Sequence, residues 1–219
     1  MERGRALVLY GGWAEHEPER SARFAIDNVL GDFDVTSSQD LATLDLRTLE
    51  RVDLLVLLWT FGELTPAQEQ GLIEAVGGGM GLLTWHGATS AFLSSRAHKF
   101  LIGGQFVAHP GGDAVTYAVN FKAGDPLVEG LGDVTVTSEQ YYVLVDPAVT
   151  VLATTPMQAP GDEEAAVEMP VAWRRNWGAG RVFYCSLGHT PDTLGSPSVL
   201  SLLRRAAGWA GRRPPAIRT

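Results

Sequence analysis

Three of the five histidines in this sequence lie in short turns beside apolar stretches. His86 begins a turn of small residues, His109 precedes a proline, and His189 follows a glycine. An imidazole changes its charge near neutral pH, so it can act as a general acid or base, and it also binds divalent metals. We interpret His86, His109 and His189 as the main catalytic candidates. For His86, a structural histidine satisfied by backbone groups is the alternative.

A second group of candidates follows the first apolar stretch of the chain. Gly11 and Gly12 allow a ligand to approach the backbone closely, and Trp13 and His16 come soon after them. A helix that begins here would also present free N–H groups to a ligand. We predict that these four residues bind substrate. An ordinary turn with an exposed loop histidine is the alternative.

Further polar and aromatic residues complete the candidate site. Glu139 can orient a histidine, bind ligand hydroxyls or act as a base, and a solvated loop carboxylate is the alternative. Gln105 and Tyr141 can hold ligand hydroxyls. Trp85 and Trp173 can provide an aromatic platform for a ligand, although tryptophans at such positions more often pack in the core or at its rim.

A metal centre is an alternative use of the same side chains. His86, His109 and His189, with Glu139 or His16, would give a nitrogen and oxygen ligand set suited to zinc or another divalent ion. The sequence has no HxH or HExxH spacing that would support this set. We therefore predict no cofactor and keep a divalent metal as the alternative.

The elements that must position these residues alternate between strand and helix. Apolar runs at 6–10, 54–58 and 80–84 are typical of parallel strands that are buried on both faces, and helix-like segments separate them. Residues 171–177 and 181–187 flank a glycine-rich turn and predict a hairpin. The pattern predicts an α/β fold with a mostly parallel central sheet. Ligands of such sheets bind beyond the carboxyl ends of the strands, where most of the candidates fall.

Composition excludes several classes of protein. The 17 Lys and Arg residues against 25 Asp and Glu residues give a net charge of −8, so a nucleic-acid partner is not expected. One cysteine excludes an internal disulfide framework. No apolar run is long enough for a membrane span or a signal peptide. We expect a cytoplasmic protein with a single domain at 1–211 and a basic, proline-containing tail at 212–219.

Five segments carry a resemblance to a known family. They are residues 77–88, 102–106 with 109–110, 139–141, 170–173, and 178–184 running into 188–189. The first, GGGMGLLTWHGA, is similar to the GGGxxGLHGA segment of ThuA-like (trehalose-utilisation) proteins. The segments occur in the order found in that family and cover nearly the whole chain. The resemblance implies a flavodoxin-like three-layer sandwich of the class I glutamine amidotransferase-like type.

The resemblance also bears on the reaction. True amidotransferases of this fold place a cysteine at the strand-to-helix elbow and a histidine with a nearby carboxylate after a late strand. Here His86 stands at the elbow, and His189, with Asp192 after it, stands at the late position. Cys185 lies in the strand before His189, where a buried structural role is expected. Glutaminase activity is therefore not expected.

The family's role implies a sugar substrate. ThuA-like proteins take part in the use of trehalose and related disaccharides, apparently through oxidised 3-keto sugars. We expect acid–base chemistry on such a sugar by His86, His109, His189 and Glu139. Two alternatives stay open: a non-catalytic module that binds a sugar or a protein partner, and glutamine hydrolysis through another nucleophile. The particular sugar is open, because Thr84 and Trp85 stand where the family has Gly-Leu. A homo-oligomer is possible, and the sequence does not specify the oligomeric state.

Overall fold

Eleven strands and five α-helices make up the part of the chain that the computed structural model describes, residues 3–211 apart from the side chains at 163 and 164. The strands are β1 (Gly4–Gly12), β2 (Phe33–Ser38), β3 (Leu54–Thr60), β4 (Gly81–Trp85), β5 (Gly104–Ala108), β6 (Val115–Phe121), β7 (Val134–Ser138), β8 (Tyr142–Val145), β9 (Thr150–Ala159), β10 (Asp162–Trp177) and β11 (Gly180–Cys185). The helices are α1 (Pro18–Phe24), α2 (Leu46–Leu49), α3 (Pro66–Gly77), α4 (Arg96–Ile102) and α5 (Pro197–Ala210).

A nine-stranded sheet with the order β2-β1-β3-β4-β11-β10-β9-β6-β7 forms the centre of the fold. The five strands from β2 to β11 pair in parallel, and the other four extend the sheet through antiparallel pairs. The predicted hairpin is β10–β11, in which Trp177 pairs with Gly180. The predicted α/β class with a mostly parallel central sheet is confirmed. Strands β5 and β8 form a separate antiparallel pair.

Two layers of helices cover the central sheet, one on each face. Along β3, Leu54 and Val56 pack into a core cluster that contains residues of α1 and α5. Leu55 and Leu57 point to the opposite face, where the cluster contains residues of α2, α3 and α4. Successive side chains of a strand alternate between faces, so burial on both faces explains the unbroken apolar run of β3. The arrangement is the expected three-layer sandwich.

The helix boundaries follow from local residue chemistry. Thr65 and Gln68 form a reciprocal capping box at the start of α3, and Pro66 occupies the first turn, where its missing N–H costs nothing. Ser196 caps α5 by accepting a hydrogen bond from the backbone N–H of Val199.

Two sequence expectations concern the C-terminal tail and the absence of a membrane-spanning segment. The predicted tail at 212–219 lies outside the described residues, so the boundary at 211 stays a prediction. Among residues 3–211, no helix combines the length and the apolar character that crossing a membrane requires.

Candidate functional site

A cleft lies beyond the carboxyl ends of four neighbouring parallel strands. His16 follows β1, Thr60 ends β3, and His86 follows β4. His189 follows β11 after a short link. Because these strands are parallel neighbours, their ends bring together side chains that are far apart in the sequence.

The backbone at His86 makes a sharp left-handed turn between β4 and the short 3-10 helix His86–Ser90. His86 has φ 46°, a conformation that non-glycine residues adopt rarely. The hydroxyl of Tyr184 donates a hydrogen bond of 2.8 Å to the carbonyl of His86. A Cβ at Gly87 would lie 1.9 Å from Oγ1 of Thr60, so only glycine fits there. The elbow predicted from the sequence is therefore present, and its neighbours hold it in place.

The His86 ring has a defined orientation and tautomer. Its Nδ1 lies 3.0 Å from the carbonyl oxygen of Ser186, which can only accept, so Nδ1 carries the hydrogen. The lone pair of the neutral ring is then on Nε2, which lies 3.2 Å from Oε2 of Glu139 and 3.0 Å from the hydroxyl of Tyr141. Burial lowers the pKa of His86 and favours this neutral form.

Glu139 is the centre on which the histidines converge. Its carboxylate is buried and lies 3.2 Å from His86, 3.4 Å from His189 and 3.8 Å from His109. The hydroxyl of Tyr117 donates to the backbone carbonyl of Glu139 and fixes the chain just after β7. Burial by itself would raise the pKa of Glu139, but the neighbouring imidazoles, His86 first and then His189 and His109, bring it down to about 2. Glu139 is thus ionised at neutral pH.

His16 belongs to the inner part of the same cluster. Its ring centre lies 4.5 Å from that of His86 and 5.3 Å from that of His189. Its Nδ1 forms a 2.8 Å hydrogen bond with the hydroxyl of Thr60. Burial, and then the neighbouring His86, lower the pKa of His16 to about 3. The alternative of an exposed loop histidine is therefore wrong.

The other two cleft histidines differ in exposure. His189 is mostly covered, and its Nδ1 is buried without a hydrogen-bond partner of suitable geometry among the described residues. His109 follows β5, and its side chain is 40% exposed. The structure thus brings all three predicted catalytic histidines to Glu139, with His109 at the outer edge.

The predicted substrate-binding residues fall into different positions around the cleft. Gly11 and Trp85 line it, and Trp85 is buried. Trp13 is 38% exposed and packs against the ring of His16 at the rim. A Cβ on Gly12 would lie 2.0 Å from a backbone oxygen of Thr60, so this glycine, with φ 87°, serves the contact between β1 and β3. The Tyr141 hydroxyl faces His86.

Two predicted ligand contacts need correction. Trp173 is fully buried in the core, where its indole N–H donates to the carbonyl of Ile102, so it has no face to offer a ligand. Gln105 lies opposite the exposed Leu144 in the β5–β8 pair and lines a different surface depression. The neighbouring Phe106 is the β5 residue that packs against Tyr141.

The structure also places the residues that were compared with the catalytic residues of amidotransferases. Asp192 is 77% exposed and pairs with Arg20, so it is not the carboxylate partner of His189. That role falls to Glu139, which comes from a distant part of the chain. Cys185 is buried, and burial raises the pKa of its thiol to about 12. These properties match the structural role expected for this cysteine.

Sequence reasoning missed several residues that hold the site. Thr60 fixes His16, and it follows a strong apolar run, so a search for polar residues after strands would have found it. Tyr184 and Thr89 share a 2.9 Å hydrogen bond beneath the elbow. Tyr184 lies within β11, where no sequence pattern distinguishes it from a core aromatic residue.

A three-layer α/β sandwich with a histidine–carboxylate cleft at the strand ends defines the general class of this protein. The family model described as ThuA, trehalose utilisation, matches residues 5–210. The chain therefore belongs to the ThuA family. A comparison with curated proteins gives no significant match.

Solved structures share this fold at low sequence identity. A ThuA-like protein from Bacteroides uniformis is 20% identical, with a TM-score of 0.74 over 94% of this chain and 91% of the other. A ThuA-like protein from Parabacteroides merdae is 19% identical, with a TM-score of 0.76 over 95% of this chain and 90% of the other. A β-galactosidase from Bacillus circulans is 12% identical, with a TM-score of 0.61 over 97% of this chain and 32% of the other.

Proposed function

We propose that this protein is an enzyme of carbohydrate metabolism that transfers a proton at a carbon next to the carbonyl of a keto-sugar. The observation that supports this most is the convergence of His86, His109 and His189 on the buried carboxylate of Glu139. Membership of a family described by trehalose utilisation supports a saccharide as the substrate.

The protonation states suit this chemistry at neutral pH. Glu139 is ionised, so it can orient the imidazoles around it and stabilise positive charge on them, while the pKa of His16, at about 3, keeps that ring neutral. Burial raises the pKa of Tyr141 well above its ordinary value, so its hydroxyl keeps its hydrogen and can donate to a ligand oxygen. A neutral imidazole, a carboxylate and a hydrogen-bond donor therefore lie together at His86.

Isomerisation is the simplest reaction of this type. A base, Glu139 or a neutral imidazole, would take the proton from the carbon beside the carbonyl. An acid would deliver a proton to the carbonyl oxygen, which gives an enediol. Return of a proton to the former carbonyl carbon, with loss of the proton from the neighbouring hydroxyl, forms the new carbonyl and completes the isomerisation with no net gain or loss of protons. Elimination of a β-substituent from the same intermediate would break a sugar bond by the same first step.

Two other functions, glutamine hydrolysis and sugar binding without catalysis, fit the site less well. Glutamine hydrolysis needs a nucleophile at the elbow, but His86 occupies that position and Cys185 is buried in the core. A module that only binds sugar would not need a buried carboxylate among three imidazoles, since such an arrangement costs solvation energy. Catalysis is therefore the better explanation of the buried cluster.

Deuterium exchange tests the proposal. Trehalose, a related disaccharide and their 3-keto forms are incubated with the protein in D₂O, and NMR follows the C–H signals next to the carbonyl. We expect exchange or conversion of a keto form, and a decrease in rate of about 10²-fold or more for Glu139→Gln. Asp192→Asn, which makes the same change at an exposed carboxylate, is the matched control and should keep the wild-type rate.

The results separate the alternatives. Saturable binding without exchange or conversion would refute the enzyme and favour the sugar-binding module. Release of ammonia from glutamine would instead support the amidotransferase alternative.

A further inference from the structure

We propose that His16, His86, His189 and Glu139 form a binding site for one divalent transition-metal ion, with zinc as the best match. The proposal adds a resident ion to the cleft of the proposed function, but the geometry that supports it does not depend on any particular reaction. It differs from the metal set considered from the sequence, because His16 replaces His109.

The spacing of the four side chains suits a metal ion. One ligand atom from each residue lies within 4.8 Å of all the others. Zinc–nitrogen and zinc–oxygen bonds of about 2.0–2.1 Å in a tetrahedron place neighbouring ligand atoms about 3.3 Å apart. The nitrogen-to-oxygen distances to Glu139 are 3.2 Å from His86 and 3.4 Å from His189. These two distances match the spacing of neighbouring ligands in such a shell.

The hydrogen bonds outside the cluster orient two rings toward its centre. Nδ1 of His86 donates to the carbonyl of Ser186, and Nδ1 of His16 bonds to the hydroxyl of Thr60. In His86 the other nitrogen, Nε2, lies on the inner side of the cluster, 3.2 Å from Oε2 of Glu139 and 3.0 Å from the hydroxyl of Tyr141. Metal-binding histidines generally have such an outer partner, which fixes the tautomer and the orientation of the ring.

The contacts inside the cluster are unfavourable without a cation. Nε2 of the neutral His86 has a lone pair, which accepts from the hydroxyl of Tyr141 at 3.0 Å but also faces a carboxylate oxygen at 3.2 Å. The buried Nδ1 of His189 points at the same oxygen without forming a well-aligned hydrogen bond. In the described part of the chain, every ion pair recorded for Glu139 is with a histidine, and none is with Lys or Arg. A cation among these atoms would turn mutual repulsion into attraction.

The ligand types indicate which ion would bind. Three imidazoles and one carboxylate suit zinc, copper, iron or nickel, whereas magnesium and calcium prefer sites made only of oxygen. His109 is excluded from the shell because it is 3.8 Å from the other carboxylate oxygen and partly exposed. When bound, the ion would supply a Lewis acid that polarises a sugar carbonyl.

Metal titration of the full chain tests the site. The protein is stripped with EDTA and dialysed, and calorimetry measures Zn²⁺ binding while visible absorption follows Co²⁺. We expect one ion per chain. We expect His16→Ala, His86→Ala, His189→Ala and Glu139→Gln each to weaken binding by about 100-fold or more. His109→Ala is the matched control and should stay within about 3-fold of the wild type.

A variant that keeps all four ligands controls for misfolding. Thr60→Val leaves all four ligands in place and removes only the hydroxyl that orients His16. We expect it to weaken binding by about 10-fold to 100-fold, as for other outer partners of metal ligands. Circular dichroism shows whether each variant is folded.

The outcomes for the ion and for the reaction are distinguishable. Absence of stoichiometric binding by the wild type, or a loss with His109→Ala that equals the loss with His16→Ala, would overturn the metal site. If the wild type binds no metal but still exchanges sugar protons, the metal site is refuted and the proposed function is kept. Binding that needs all four residues, with no sugar turnover, would support the metal site and refute the proposed function.

Discussion

His98 provides a quantitative test of the structure that is independent of the cleft. It lies in α4, is buried against Phe92, and its Nε2 has no hydrogen-bond partner among the described residues. Burial, with a smaller contribution from the charge of Lys99, lowers the pKa of His98 from 6.5 to about 3. The folded protein therefore keeps this ring neutral, while the unfolded chain binds a proton below pH 6.5.

The sign and size of the effect follow from proton linkage. Because the unfolded state binds more protons below pH 6.5, the stability falls as the pH decreases from 6.5 toward 3. With these two pKa values, this one group reduces the free energy of unfolding by about 2 kcal/mol between pH 7 and pH 5. The variant His98→Leu lacks this group. Its free energy of unfolding should therefore decrease by about 2 kcal/mol less than that of the wild type between pH 7 and pH 5.

Urea denaturation at pH 7 and pH 5 measures the difference. EDTA is included, so the cleft histidines contribute equally to the wild type and to His98→Leu. Leu101→Ala, at a buried position of the same helix, is the control, and its cost of about 2–5 kcal/mol should be the same at both pH values. Equal pH dependence for the wild type and His98→Leu would refute the assignment of a buried neutral histidine.

Other predictions concern single side chains. Cys185 should not react with a thiol reagent at pH 8 in the folded protein, because it is buried with a pKa of about 12, and one thiol per chain should react after unfolding. Gly87→Ala should reduce sugar turnover by about 100-fold because its Cβ would collide with Thr60, and an unchanged rate would contradict this packing. Gly208→Ala is the control, because the space around Gly208 is open, and it should stabilise α5 by about 0.5–1 kcal/mol. Trp173→Phe should cost about 1–3 kcal/mol in urea denaturation by leaving a buried carbonyl unpaired, with sugar binding unchanged.

The general fold could be predicted because its determinants are local. The apolar run at 54–58 has the composition of a strand buried on both faces, and Thr65 with Pro66 has the chemistry of a helix start. The rule that parallel strands present their carboxyl ends to ligands then predicted that His86 and His189 would meet. These inferences need only neighbouring residues and the topology of the sheet.

The composition of the site depends on orientations that sequence does not specify. Trp173 and Trp85 are the same residue type near strand ends, but one packs wholly within the core and the other reaches the cleft. Gln105 and Phe106 are neighbours on a strand, so they point to opposite faces, and of the two only Phe106 packs against Tyr141. His16 joined the inner cluster through a side-chain contact with Thr60, 44 residues away.

Nitrogen NMR of the histidine rings tests most directly whether the four side chains form one site. The rings are labelled with ¹⁵N, and spectra are recorded before and after one equivalent of Zn²⁺. We expect a neutral His86 with its hydrogen on Nδ1, and a change in the resonances of His16, His86 and His189, while the His98 ring stays the same. Changes at His109 without changes at His16, or no change at any ring, would contradict the proposed cluster.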